Sequence, residues 1–227
     1  MLMTPRSRPI VFGGPSLELV DAQIGDRLDL RPPIRRGDLE ALLDGRSRTG
    51  CVLITDGCFG QDMSVSSVEC LRLIKAGWLL LGSSSIGALR AADCSKVGMV
   101  GVGHVFMGYR LGYFKSDADV AVRYAGNVPF EMTVSYVHAD YIAKELARDH
   151  GLTQSAHRRF LQALRKVPWH ERTAPSTASL FADIHGNADL APSFIEAAND
   201  PRRHPKKLDA LLAVRYLNTL YLKQALE

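Results

Sequence analysis

Short apolar runs alternate with helical periodicity along the first half of the chain. Ile10, Val11 and Phe12 stand in a row and stop at Gly13-Gly14-Pro15, the mark of a short buried strand opening into a tight loop. Leu28 to Arg31 reads as a possible second strand, broken by Pro32-Pro33. Beyond it, Asp38 stands as N-cap to a helical pattern at Leu39, Ala41, Leu42 and Leu43. Cys51 to Thr55 is again a β-type run, closed by Asp56-Gly57. A helix is expected from about Ser64 to Ala76 with Gly77 as its C′ residue, then a strand from Trp78 to Leu81. The Gly-rich stretch Gly98 to Phe106 fits either another strand or a loop with close backbone packing.

From about Pro129 the β signal fades. Apolar residues then recur at helical spacing, at Val134, Val137, Tyr141 and Leu146 and later at Leu208, Leu211, Leu212, Tyr216 and Leu220. Joints near Arg172 to Ser176 and Asp200 to Pro205 read as loops. The chain therefore falls in the α/β class: a mainly parallel sheet with flanking helices and a helical C-terminal region. Residues 1–127 form the expected α/β core, with residues 128–227 as the helical region packed on it. In such a sheet ligands bind at the loops after the strand carboxyl ends. That edge carries Ser16, Asp56 and Ser85.

Composition narrows the function classes. The 227 residues are 46% apolar with a net charge of +4, enough for a real core and too little positive charge to announce a nucleic-acid partner. No apolar run reaches about 18 residues, and Met1 to Pro5 leads straight into the first strand without a signal-peptide pattern. The expectation is a cytoplasmic protein with no membrane partner. Cys51, Cys58, Cys70 and Cys94 lack paired C-x-x-C spacing and no H-E-x-x-H occurs, so neither a metal nor a cofactor is expected. Reduced thiols follow, with Cys51 and Cys70 as core fillers.

The chemistry concentrates at Ser85. Ser83-Ser84-Ser85-Ile86-Gly87 has the spacing of a G-x-S-x-G nucleophile elbow with serine in place of the first glycine, between an apolar strand and an Ala-rich helix. Small residues at Gly87, Ala88, Ala91 and Ala92 permit close helix–sheet approach. The amides of Ile86 and Gly87 are candidate donors for an oxyanion or bound anion. The same string also fits a plain N-cap by Ser84 or Ser85. Arg90 either pairs with Asp93 or reaches back to an anion. Asp56 either orients a partner or makes an ordinary Asp-Gly turn. Arg35 and Arg36, after the diproline, either recognise a carboxylate or phosphate or form a solvated basic loop. Gly13 to Ser16 can present backbone amides, though without the lysine of a phosphate-binding loop.

Five blocks carry a resemblance: Phe12 to Ser16 (FGGPS), Pro32 to Asp38 (PPIRRGD), Ile54 to Gly57 (ITDG), Gly82 to Ala92 (GSSSIGALRAA) and Gly98 to Gly103 (GMVGVG). Their order and spacing over about residues 10 to 125 resemble the TfuA family. The resemblance implies an accessory protein of a YcaO enzyme in peptide backbone thioamidation, engaging the peptide substrate only indirectly. It implies hydrolysis of a thiocarboxylated ThiS-like sulfur carrier to deliver sulfide, through a Ser-Lys pair. Carried onto this chain, the serine falls on Ser85; the family's lysine falls near Ser66 to Glu69, where this chain has Val68, and with Lys75 and Lys96 placed away from Ser85 the lysine left is Lys115, in the loop Tyr113 to Asp119. Two other readings stay open beside this one. The loop edge is a binding module in which Arg35, Arg36 and Arg90 hold an acidic tail or phosphate, or the C-terminal helices dock YcaO through Tyr216, Leu220 and Tyr221.

Overall fold

The computed structural model describes residues 8–20, 27–44, 49–60, 62–124 and 130–225, with side chains through Leu220. The expectations about Met1 to Pro5, the division between 127 and 128 and the Tyr221 side chain lie outside the described residues. The chain forms two compact units, one of residues 1–113 with 206–227 and one of residues 114–205.

In the first unit, β1 (Ile10–Phe12), β2 (Asp29–Arg31), β3 (Cys51–Ile54), β4 (Leu79–Ser83) and β5 (Val100–Val102) pair in parallel, in the order β2-β1-β3-β4-β5. Successive side chains point to opposite faces, so a strand buried on both sides needs a continuous apolar run. Ile10, Phe12, Val52, Ile54 and Leu80 pack on one face, against Leu39 and Leu42 of α1 (Asp38–Asp44), Cys70 and Leu73 of α2 (Ser67–Lys75) and Ile86 and Ala91 of α3 (Ile86–Cys94). Val11, Leu53 and Leu81 pack on the other, against Ala213, Val214 and Leu217 of α9 (Pro205–Ala225). Cys70 lies in the core as expected, whereas Cys51 is half-buried at its margin.

Local chemistry moves several boundaries. Ser66 caps α2 in a capping box with Glu69, so the helix begins three residues later than the periodicity suggested. Asp38 is the first residue of α1 rather than its cap, and its carboxylate accepts the Arg35 N–H at 2.7 Å. Gly98 to Phe106 resolves into β5, a turn at Gly103 with φ of +102°, and α4 (His104–Arg110).

Helix α9 buries a different stripe from the one its large apolar residues mark. Leu212 and Tyr216 are exposed, while Asp209, Ala210, Ala213, Val214 and Leu217 face inward. The small residues let the helix lie close to the sheet. Asp209 accepts the N–H groups of His104 and Val105, both at 2.8 Å, and so satisfies the start of α4. Burial pushes its carboxyl up to about 6, against the downward pull of those two donors.

The closest approach in this unit joins α3 to the sheet. A Cβ on Gly87 would stand 1.8 Å from the Ile54 carbonyl oxygen, and one on Gly82 would stand 2.1 Å from the Gly87 oxygen. Only glycine fits either position.

The second unit is helical: α5 (Tyr136–Asp149), α6 (Gln154–Leu164), α7 (Ala174–His185) and α8 (Leu190–Asn199). Phe160, Phe181 and Phe194 form its aromatic centre, with ring centroids 5.0 to 6.2 Å apart. Buried Asp119 accepts from Arg165 at 2.9 Å, and that guanidinium lies 4.1 Å from the centre of the Tyr136 ring. The expected loop at Arg172 to Ser176 ends early because α7 starts at Ala174 and tolerates Pro175 in its first turn.

Two measurements probe this framework. Gly87→Ala forces backbone apart and is expected to cost about 3 kcal/mol in urea unfolding, the upper end for overpacking. The folded Asp209 carboxyl, at about 6, sits above its ordinary 3.8, so the folded state binds more protons between those values. Stability accordingly falls as pH rises through that window. Relative to Asp209→Asn, the wild-type chain is expected to lose on the order of 2–3 kcal/mol between about pH 4 and pH 7.

Candidate active site at the turn after the fourth strand

The close packing of α3 on the sheet leaves the chain little length in which to turn. Between the end of β4 at Ser83 and the start of α3 at Ile86 lie only Ser84 and Ser85. Ser84 takes up the reversal with φ of +69°, the only positive φ at a non-glycine among the described residues. A left-handed serine costs roughly 1–2 kcal/mol. A strained serine at a strand-to-helix turn is the geometry of a nucleophile elbow. The strain falls one residue before the position that the spacing selects, and it puts Gly82, rather than Ser83, two residues ahead of the serine.

The Ser84 hydroxyl donates to Ser16 Oγ at 2.6 Å, and Ser16 Oγ donates to Asp56 Oδ1 at 2.6 Å. The other carboxylate oxygen of Asp56 accepts the N–H groups of Gly14 at 2.9 Å and Ser16 at 3.1 Å. Ser16 and Ser84 are wholly buried and Asp56 nearly so. The amides of the Gly13 to Ser16 loop thus hold the chain's own carboxylate rather than an outside anion. These groups follow β1, β3 and β4. With β2 on the far side of β1, the strand order reverses between β1 and β3, the crevice where open α/β sheets bind ligands.

Ser85 lies beside this chain of hydroxyls without joining it. It precedes α3, does not cap it, and its hydroxyl makes no hydrogen bond among the described residues. Of the expected oxyanion donors, the Gly87 N–H is directed at the Thr55 carbonyl at 3.4 Å, which also accepts the Ser85 N–H at 3.1 Å. The Ile86 amide is the helix-start donor with no acceptor among the described residues. Ser83 points the other way, its hydroxyl 2.8 Å from the Val102 carbonyl oxygen and 3.0 Å from that of Asp209.

The basic residues distribute differently. Arg90 donates to the Val65 carbonyl at 2.7 Å and to Asp93 at 2.9 Å, so its ion pair with Asp93 is the arrangement present. Arg35 and Arg36 are exposed. Their segment runs beside the end of β3, with the Ile34 N–H donating to the Asp56 carbonyl at 2.9 Å. Lys115 is exposed and belongs to the second unit, where its N–H donates to Asp119 at 2.9 Å. Sequence reasoning missed Asp209 and Lys206, both buried on α9. Their only signal was polar residues on the small-residue stripe of that helix.

Among the described residues no group of three His, Cys, Asp or Glu gathers as a metal site, and no helix is long and apolar enough to cross a membrane. A groove of about 400 Å³ lined by Arg8, Leu28, Arg31, Leu42 and Trp78 contains none of the serines.

No curated protein matches the sequence. A family model described as TfuA-like protein matches residues 56–173, just over half the chain. The match takes in Asp56, the serine turn with α3, and the Asp119–Arg165 pair; it starts later and runs further than the blocks between residues 10 and 125. On that match, and with the parallel sheet and its serine turn in place, the chain belongs to the TfuA-like family.

Proposed function

We propose that this chain is accessory to a YcaO enzyme in peptide backbone thioamidation, and that it hydrolyses a thiocarboxylated ThiS-like carrier to release sulfide through a serine of the β4–α3 turn. Family membership supports the accessory role. The observation that carries the hydrolytic reading is the strained turn at Ser84, set at the carboxyl edge of the sheet beside a helix start whose Ile86 amide has no acceptor among the described residues. Such a turn sets a nucleophile at the loop edge; Ser84 and Ser85 are buried there, so a carbonyl reaches them once their cover is displaced, and the Ile86 N–H is a donor for the oxygen that gains charge. Incubation of the purified chain with a thiocarboxylated carrier is expected to release sulfide. The Ser84→Ala/Ser85→Ala double variant is expected to lower the rate by about 10³-fold or more. If that variant, folded by circular dichroism, releases sulfide at the wild-type rate, the serine reading fails.

A second reading, recruitment without chemistry, draws on Arg35 and Arg36, exposed beside the end of β3. Charge-assisted hydrogen bonds from two guanidiniums suit the acidic tail of a carrier. Under this reading Arg35→Ala/Arg36→Ala weakens carrier binding about tenfold or more in calorimetry, from about 1.5–3 kcal/mol per lost contact, and the wild-type chain turns nothing over.

A further inference from the structure

We propose that Ser84, not Ser85, is the nucleophile of this turn, and that Ser16 and Asp56 form its proton relay. The substrate rests on the hydrolase reading above; the assignment of the atoms rests on the hydrogen-bond geometry.

The direction of the relay is fixed by elementary donor and acceptor counting. An ionised carboxylate only accepts, so the single hydroxyl proton of Ser16 goes to Asp56 Oδ1. Ser16 Oγ is then left as an acceptor, and the proton of Ser84 goes to it. Both links measure 2.6 Å, at the short end for hydroxyl donors and within the range for one donating to a carboxylate. The Gly14 and Ser16 amides hold the second Asp56 oxygen, which keeps the first aimed at Ser16. With its proton engaged, Ser84 Oγ keeps its lone pairs for attack. Among the described residues Ser85 has no acceptor to take its proton.

The chemistry balances without a cofactor. Ser84 Oγ forms a bond to the carbonyl carbon of the thiocarboxylate and the C–S bond breaks. The Ser84 proton passes through Ser16, with Asp56 as temporary holder, to the departing sulfur, giving acyl-Ser84 and HS⁻. Water then cleaves the ester, restoring the Ser84 hydroxyl and leaving the carrier carboxylate and one proton. Because Ser84 is wholly buried, the substrate must displace the groups covering it, which keeps bulk water from the acyl-serine until the carrier departs.

The test uses the full chain and a fluorophosphonate probe, with the adduct mapped by peptide mass spectrometry. The expected adduct is on Ser84. Ser16→Ala is expected to slow labelling about 100-fold and Ser16→Thr to restore most of it, since threonine keeps the hydroxyl. Wild-type labelling through the carboxylate relay is expected to be flat from about pH 6 to pH 9, whereas Asp56→Asn makes the rate climb with hydroxide. A purely structural role for Ser16 and Asp56 would leave the pH profile unchanged. An adduct on Ser85, or wild-type labelling by folded Ser16→Ala, overturns the assignment, and the mapped adduct decides even if the variants do not fold. Labelling at Ser84 together with no sulfide release from a thiocarboxylated carrier supports the relay and removes the carrier as substrate.

Discussion

The backbone contact between α3 and the sheet, made through Gly82 and Gly87, governs the geometry of the carboxyl edge. At these two positions a single methyl group would collide with a carbonyl oxygen. Pressed against β3 and β4, the helix has to begin almost where β4 ends, and the two residues between them absorb the whole change of direction. Ser84 does so in a conformation that serine disfavours. Strain of this kind persists only where the surroundings over-determine it, and here the packing of α3 and the Ser84–Ser16 hydrogen bond together do so.

The consecutive serines divide the work of anchoring the turn. Ser83 bonds towards β5 and α9, Ser84 towards the loop after β1, and Ser85 stands at the helix start with its hydroxyl unengaged among the described residues. The turn is tied on two sides by buried hydroxyls whose partners are already in place, which makes removal of any partner costly. Asp56 is the negative end of one tie, held by two amides of the Gly-Gly-Pro-Ser loop. Asp209 is the acid of the other side, closing the start of α4 from a helix more than a hundred residues further along the chain. The carboxyl edge is thus built from both ends of the sequence.

A buried acid carries a different burden on each side. Asp56 gives its two oxygens to three donors, one of them a hydroxyl with an onward connection. Asp209 has two backbone donors, and desolvation outweighs them enough to raise its carboxyl to about 6. In the second unit Asp119 is satisfied by an arginine and by backbone amides, and Arg165 in turn lies on Tyr136. The family match, from Asp56 to Thr173, takes in Asp56 and the Asp119–Arg165 pair, while Gly14, Ser16 and Asp209 lie outside it.

The sequence by itself determined the alternation of strands and helices, the parallel class of the sheet and the loops at which Ser16, Asp56 and the serine turn would meet. Those follow from apolar runs, Gly and Pro punctuation and helical spacing, which are local properties. Tertiary structure alone decided which of three identical serines bears the strain, because φ at Ser84 is imposed by the helix–sheet distance and not by residue type. It also decided that the loop amides face Asp56, forty residues away, and that Gly87's amide is taken by Thr55. In α9 the leucines and tyrosine advertised one face, yet the sheet took the alanines and Asp209. Apolar spacing shows that a helix has a buried side, but close packing selects the side whose side chains are small enough to let the backbone in.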